Sequence, residues 1–178
     1  MKRPMAGLAM LLAAGAAQAV DDGYPEGYTC CNLHYDGDWI SDANWGTMPM
    51  IPAGSRIKLL SWGSNRAQVE IEGIRYRIGH DYGRAEQSLE QYMGKLVVPD
   101  DPRERVAAWP EGIREAVRRG KLMPGMTREQ AIVAAGYPPT HQTRVLEGPV
   151  WRYWNHRFSS YTVSWAADGT LREVAGQQ

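Results

Sequence analysis

Two short turns, each set between runs in which apolar and polar residues alternate, constrain this chain most. Glu72-Gly73 lies between Gln68-Val69-Glu70-Ile71 and Ile74-Arg75-Tyr76-Arg77-Ile78, and Asp168-Gly169 lies between Tyr161-Thr162-Val163-Ser164-Trp165 and the run from Thr170 to Val174. Successive side chains of a strand point to opposite faces, so a period of two marks a ribbon with one buried face. A residue followed by Gly supplies the positive φ that a tight hairpin needs. The pattern therefore predicts antiparallel meanders in both halves. Val69, Ile71, Ile74, Tyr76 and Ile78 should line the inner face of the first. In the second, Tyr161, Val163 and Trp165 should meet a helical layer, joined by Trp151 and Tyr153 of a strand over Trp151-Arg152-Tyr153-Trp154.

The intervening sequence fills in the rest. Pro52-Ala53-Gly54-Ser55 opens a strand at Ile57–Trp62, and Gly63-Ser64-Asn65 turns it back. Residues 84–94 read as a helix with Leu89, Tyr92 and Met93 on one face and Gly94 as its stop. Pro99-Asp100-Asp101-Pro102 breaks the pattern and marks a boundary between residues 20–98 and 99–178. A short helix follows at Arg103–Trp109. Another starts after Pro110, with Ile113, Ala116 and Val117 at helical spacing and Gly120 at its end. Thr127 and Gln130 form a capping box for a helix that runs to Ala135, where Gly136 stops it. The turn, strand, turn, strand, hairpin, strand order over about residues 50–80 resembles bacterial SH3-like domains. The expected fold is α+β: a small antiparallel SH3-like β domain with a C-terminal helix, then two helices on a three-stranded antiparallel sheet.

The first residues read as an address. Met1-Lys2-Arg3-Pro4 is basic, Met5 to Ala17 is apolar and uncharged, and Ala17-Gln18-Ala19 is a small-x-small cleavage pattern. Residues 1–19 are expected to be a secretory signal peptide, which places the chain in the periplasm or outside the cell, with outer-membrane association open. The apolar run, about 13 residues, is short of the ~18 a spanning helix needs. Twenty Lys and Arg balance 20 Asp and Glu, so no net basic surface argues for nucleic acid. Cys30 and Cys31 are adjacent. Strand neighbours point apart, so the simplest reading is one buried and one surface thiol; a vicinal or an intermolecular bridge is the alternative.

Gly120, Pro124-Gly125-Met126-Thr127-Arg128-Glu129-Gln130, Gly136-Tyr137-Pro138, Trp151-x-Tyr153, Tyr161-x-Val163 and Asp168-Gly169-x-Leu171 resemble, in that order, the SmpA/OmlA (BamE-like) family of outer-membrane assembly factors. The resemblance spans residues 120–174. It implies two helices on a three-stranded sheet and a non-enzymatic scaffold or binding role among envelope proteins, including outer-membrane assembly components. The chain departs from the family in having no cysteine at the cleavage point and an additional N-terminal β region. Alternation alone puts Arg152, Trp154, Thr162 and Ser164 on the outward face of the sheet, and an outward Trp beside Arg is typical of contact surfaces. These four residues are the expected partner-binding set.

Reactive chemistry is weakly signalled. His34-Tyr35-Asp36-Gly37-Asp38 and His80-Asp81 bring imidazoles near carboxylates, which would suit acid–base or metal chemistry. Asp36-Gly37-Asp38 is more simply a turn and His80-Asp81-Tyr82-Gly83 a strand exit. His141 and His156 stand alone, and Arg114, Arg118, Arg119 and Lys121 suit a helix C-terminus. No cofactor, metal site or catalytic residue is expected. The leading expectation is a protein-interaction or envelope-assembly factor. A peptidoglycan-binding module is the alternative, and a hydrolase built on His34 and His80 is a distant third.

Overall fold

The computed structural model describes residues 25–178, so the signal peptide expected over residues 1–19 lies outside the described residues. The first half is built from β1 (Glu26–Thr29), β2 (Leu33–His34), β3 (Trp39–Ser41), β4 (Met50–Ile51), β5 (Arg56–Trp62), β6 (Arg66–Ile71) and β7 (Ile74–Gly79). The alternating runs form the centre of a sheet. Ile71 pairs with Ile74 across a turn in which Glu72 and Gly73 take φ of 48° and 79°. Two consecutive positive φ values match the right-handed twist of the flanking strands, which fixes the register. Val69, Ile71, Tyr76 and Ile78 point inward with Ile57 and Leu59. Ile74 lies beyond the packed region at the hairpin, 58% exposed, against the expectation that it joins the inner face.

Strands then add on both sides of this meander. β1 pairs with β5, and β8 (Val97–Val98) pairs with β1. β3 joins β7 in parallel, giving a six-stranded mixed sheet in the order β3-β7-β6-β5-β1-β8. A separate pair, β2 and β4, flanks it. α1 (Leu89–Leu96) lays Leu89, Tyr92, Met93 and Leu96 into the same interior. It starts later than its expected span, because Ser88 and Gln91 form a reciprocal capping box that sets its first turn. Gly94 lies within it and does not stop it. Cys30 and Cys31 are bridged to each other and both are buried, which corrects the reading of one buried and one surface thiol.

The second half contains α2 (Pro102–Ala107), α3 (Glu111–Arg118), α4 (Arg128–Ala135), β9 (Val150–His156), β10 (Ser159–Trp165) and β11 (Leu171–Ala175). Thr127 and Gln130 cap α4 reciprocally, and Gly136, at φ 79°, follows its last residue. The last three strands pair antiparallel in the order β11-β10-β9. Trp151, Tyr153, Tyr161, Val163 and Trp165 meet Ala131, Ala134 and Val117 beneath them. Small residues on α4 let the helix approach these large rings closely. Arg128 lies over Trp165 and Trp151, with its guanidinium carbon 4.5 and 5.4 Å from the ring centres.

The expected fold class is not what forms. Sheet outweighs helix, there are four helices among the described residues, and the first sheet is a curled six-stranded mixed sheet, not a small SH3-like antiparallel domain preceding a two-helix, three-strand unit. The physical reason is the edges. β1, β3 and β8 are two to four residues long, too short for an apolar–polar period to stand out in the sequence. They are recruited because a three-strand meander leaves unpaired N–H and C=O groups on both sides.

Two buried asparagines join the halves. Asn32 Nδ2 donates to Val117 O of α3 (2.7 Å) and Ala134 O of α4 (2.9 Å), and its Oδ1 accepts from Ala53 N. Asn44 Nδ2 donates to Ala135 O (2.8 Å) and Asn32 O, while its Oδ1 accepts from His34 N (2.7 Å). Asn32 N donates to Val133 O as well. Helix ends leave carbonyls without intrahelical partners, and at the end of α4 these amides supply the missing donors, while Val117 O shares Asn32 with Gly120 N. Deleting a buried partner costs the desolvation of each group left behind, about 1–3 kcal/mol apiece. Asn32→Ala should therefore destabilise the chain by about 3 kcal/mol or more in urea unfolding, with both halves unfolding in one transition. An effect below about 1 kcal/mol would show that water replaces the amide.

Candidate functional site

Alternation along β9 and β10 carries Arg152, Trp154, Thr162 and Ser164 to the face opposite the buried rings. Arg152 sits directly across from Thr162, and Trp154 across from Ser160. Arg152 is exposed, while Trp154, Thr162 and Ser164 are half-buried. Trp154 Nε1 and Ser164 Oγ are buried and make no hydrogen bond among the described residues. The neighbouring edge of β9 is occupied. Gly46 N donates to Trp154 O, Thr47 N donates to Asn155 O, and Arg152 N donates to Thr143 Oγ1. A partner can thus meet this sheet through its face but cannot add a strand along β9.

The two histidine clusters do not assemble into one site. His80 is fully buried, with Nδ1 2.9 Å from Asp42 Oδ2 and Nε2 2.9 Å from Gln87 O. Its ring stacks on Tyr92, with centroids 4.9 Å apart. Asp42 also accepts from the backbone N–H groups of Tyr82 and Gly83. Burial and the Asp42 charge hold the Tyr92 phenol well above its ordinary range. Each polar atom here faces protein, so the cluster pins the loop after β7 to the end of β3 and offers no open position to a substrate. Asp81, the expected neighbour of His80, turns away to Arg66 at 2.7 Å.

His34 contacts the segment that follows β3. Its Nδ1 lies 3.3 Å from Asn44 Oδ1. Burial pushes the imidazole below its ordinary value, the Lys121 charge adds to the effect, and the Asn44 contact opposes it. Asp36 and Gly37 form a turn, and Asp38 holds Arg77 through two bonds of 2.6 and 2.7 Å. No group of three or more His, Cys, Asp or Glu side chains stands ready to hold a metal among the described residues. Arg114, Arg118 and Arg119 pair with Glu111 and Glu115 along α3, so the basic end of that helix is internally balanced.

A third arrangement lies on the outer face of the six-stranded sheet. Trp39, Arg77, Gln68 and Ser61 are register partners on four successive strands. With Trp62 and Arg66 they line a groove of about 370 Å³. The Trp39 indole lies over Gly79, where an added Cβ would meet ring atoms at 2.0 Å. The guanidinium carbons of Arg66 and Arg77 lie over the ring, 4.9 and 5.5 Å from its centre.

No family model, curated protein or solved structure matches this chain. Sequence analysis missed Asp42, whose pairing with His80 has no local signal because the two residues lie on different strands' ends. It missed the Trp39 groove for the same reason, although outward Arg66, Gln68 and Arg77 could have been read from the alternation that located Val69 and Tyr76. Among the described residues no helix is long and apolar enough to cross a membrane.

The depressed basicity of His34 has a measurable consequence. An unfolded histidine protonates near pH ~6.5, whereas the folded one resists until lower pH. Between those two points the unfolded chain binds more protons, so stability falls as pH drops through that window. Between pH 7.5 and 5, the urea midpoint should decline in the native chain and decline less in His34→Gln. Equal slopes in the two proteins would exclude His34 as the source.

Proposed function

We propose that this chain is an exported, non-enzymatic binding protein of the bacterial periplasm or outer membrane, a protein-interaction or envelope-assembly factor. The observation that carries the reading is the outer face of β9 and β10. It gathers an aromatic, a guanidinium and two hydroxyls on a rigid sheet whose other side is fully packed, while the neighbouring edge is closed. Interface anchors of this kind, Trp and Arg above all, account for much of the affinity of protein contacts. The enclosure of His80 and Asp42, which face each other inside the protein, supports a role in contact over one in bond-breaking. The basic, apolar and small-x-small order of the first residues supports export. The BamE-like motif supports partners among envelope and outer-membrane assembly proteins, and its residues act here as fold elements: Thr127 caps α4, and Tyr153 donates to Gly136 O at 3.1 Å.

A photo-crosslinking residue placed at Thr162 in living cells should capture a discrete envelope protein, and the same residue at Arg75 on the other sheet should not. Arg152→Ala combined with Trp154→Tyr should weaken recovery of that partner by about thirty-fold, the equivalent of about 2 kcal/mol at a hot spot. The melting temperature should stay within a few degrees of the native value. Unchanged capture by the double variant would remove this face from the function.

A further inference from the structure

The groove on the six-stranded sheet has a chemistry of its own. Trp62 is 41% exposed at the mouth, at the end of β5, and Trp39 lies half-buried along the floor. Aromatic faces are electron-rich and attract the C–H edges of a flat, hydrogen-bearing ring. The same groove is lined by the Arg66 and Arg77 guanidiniums, which donate, and by the Gln68 amide and the Ser61 hydroxyl, which both donate and accept. Asp38 and Asp81 sit behind the guanidiniums as further acceptors.

Charge decides among ligand classes. Arg77 is held by Asp38 through two bonds, and Arg66 by Asp81 at 2.7 Å. Each cation is matched by its own anion, so no unpaired positive charge awaits a phosphate or an acidic polymer. Arg66 makes both of its bonds, to Asn65 O and Asp81 Oδ1, through the single nitrogen Nη1. Its other donors have no partner among the described residues. An uncharged ligand rich in hydroxyls meets these conditions, because it offers C–H edges to indole and oxygen atoms to both donors and acceptors.

The groove is also rigid before anything binds. Gly79 lets the Trp39 indole lie flat on the sheet, and the bidentate Arg77–Asp38 pair fixes the guanidinium beside it. Side chains already ordered lose little freedom on binding. The volume, about 370 Å³, falls inside the ~300–1,000 Å³ typical of small-ligand sites. We propose that this groove is a saccharide site, taking an uncharged sugar ring against the exposed Trp62, with its hydroxyls bonded by Gln68 and by the Arg66 and Arg77 guanidiniums that Trp39 holds in place. The site lies on the sheet of the first half, and it stands or falls separately from the protein-binding face of β9 and β10.

The test uses the full chain and the quenching of tryptophan fluorescence. Titrations with triacetylchitotriose and with maltotriose present an N-acetylated and a plain sugar chain, and sedimentation with purified peptidoglycan sacculi asks whether the same chemistry is met in a polymer. Saturable binding to a soluble trisaccharide or co-sedimentation with sacculi is expected. Trp62→Ala should lower it at least tenfold at an unchanged melting temperature. Gly79→Ala, which lifts the Trp39 ring, should do the same, and Arg66→Ala serves if either variant fails to fold. Binding to a trisaccharide alone would assign the site to free oligosaccharide, and binding to sacculi alone to the wall polymer. Absence of binding to all three, or equal binding by native and Trp62→Ala proteins, would overturn the proposal. So would tight binding of inorganic phosphate in place of sugar.

Discussion

Two side-chain amides govern how this molecule holds together. The peptide carbonyls at the end of α4 point out of the helix with no partner of their own. Val133 O is taken by Asn32 N, Ala134 O by Asn32 Nδ2, Ala135 O by Asn44 Nδ2, and Gly136 O by the Tyr153 hydroxyl. Three of these four donors come from the segment between β1 and β4. The second half therefore finishes its helices with atoms of the first, and neither set of interior side chains closes without the other. Ile132, packed against both interiors, adds an apolar bond at the same place.

What the sequence made legible follows from distance along the chain. The β6–β7 hairpin, the Thr127 capping box and the alternation of β9 and β10 are local, and each is carried by residues within a few positions of one another. The outward placement of Arg152, Trp154, Thr162 and Ser164 was readable for that reason. The fold as a whole was not. β3 is Trp39-Ile40-Ser41, too short to show a period, and its parallel pairing with β7 depends on an edge that exists only after the meander has formed. The start of α1 turns on one bond pair at Ser88, and local helical spacing from residue 84 gives no hint of it. Asp42 and His80 meet only because β3 and β7 lie side by side.

The two sheets divide the surface and the interior in the same manner. Ionisable groups that could do chemistry are enclosed: His80 and Asp42 face each other, and His34 faces Asn44. Trp154 with Arg152 on one sheet, and Trp39 with Arg66 and Arg77 on the other, are set outside, on strands and not on loops. A sheet face cannot rearrange without breaking its ladder, so side chains placed there keep their spacing. The Trp39 indole shows the cost of that placement, since only a glycine at position 79 leaves room for it.

The bridge between Cys30 and Cys31 joins residues already adjacent in the chain. A cross-link stabilises chiefly by shortening the excursions of the unfolded polymer, and the gain grows with the length enclosed. Here nothing is enclosed. Opening the bridge would free no segment and separate no strand, because the backbone on either side is tethered by Cys30 N to Leu96 O and by Asn32 N to Val133 O. Cohesion in this protein is thus independent of thiol oxidation, and the fold would hold equally in an oxidising or a reducing medium.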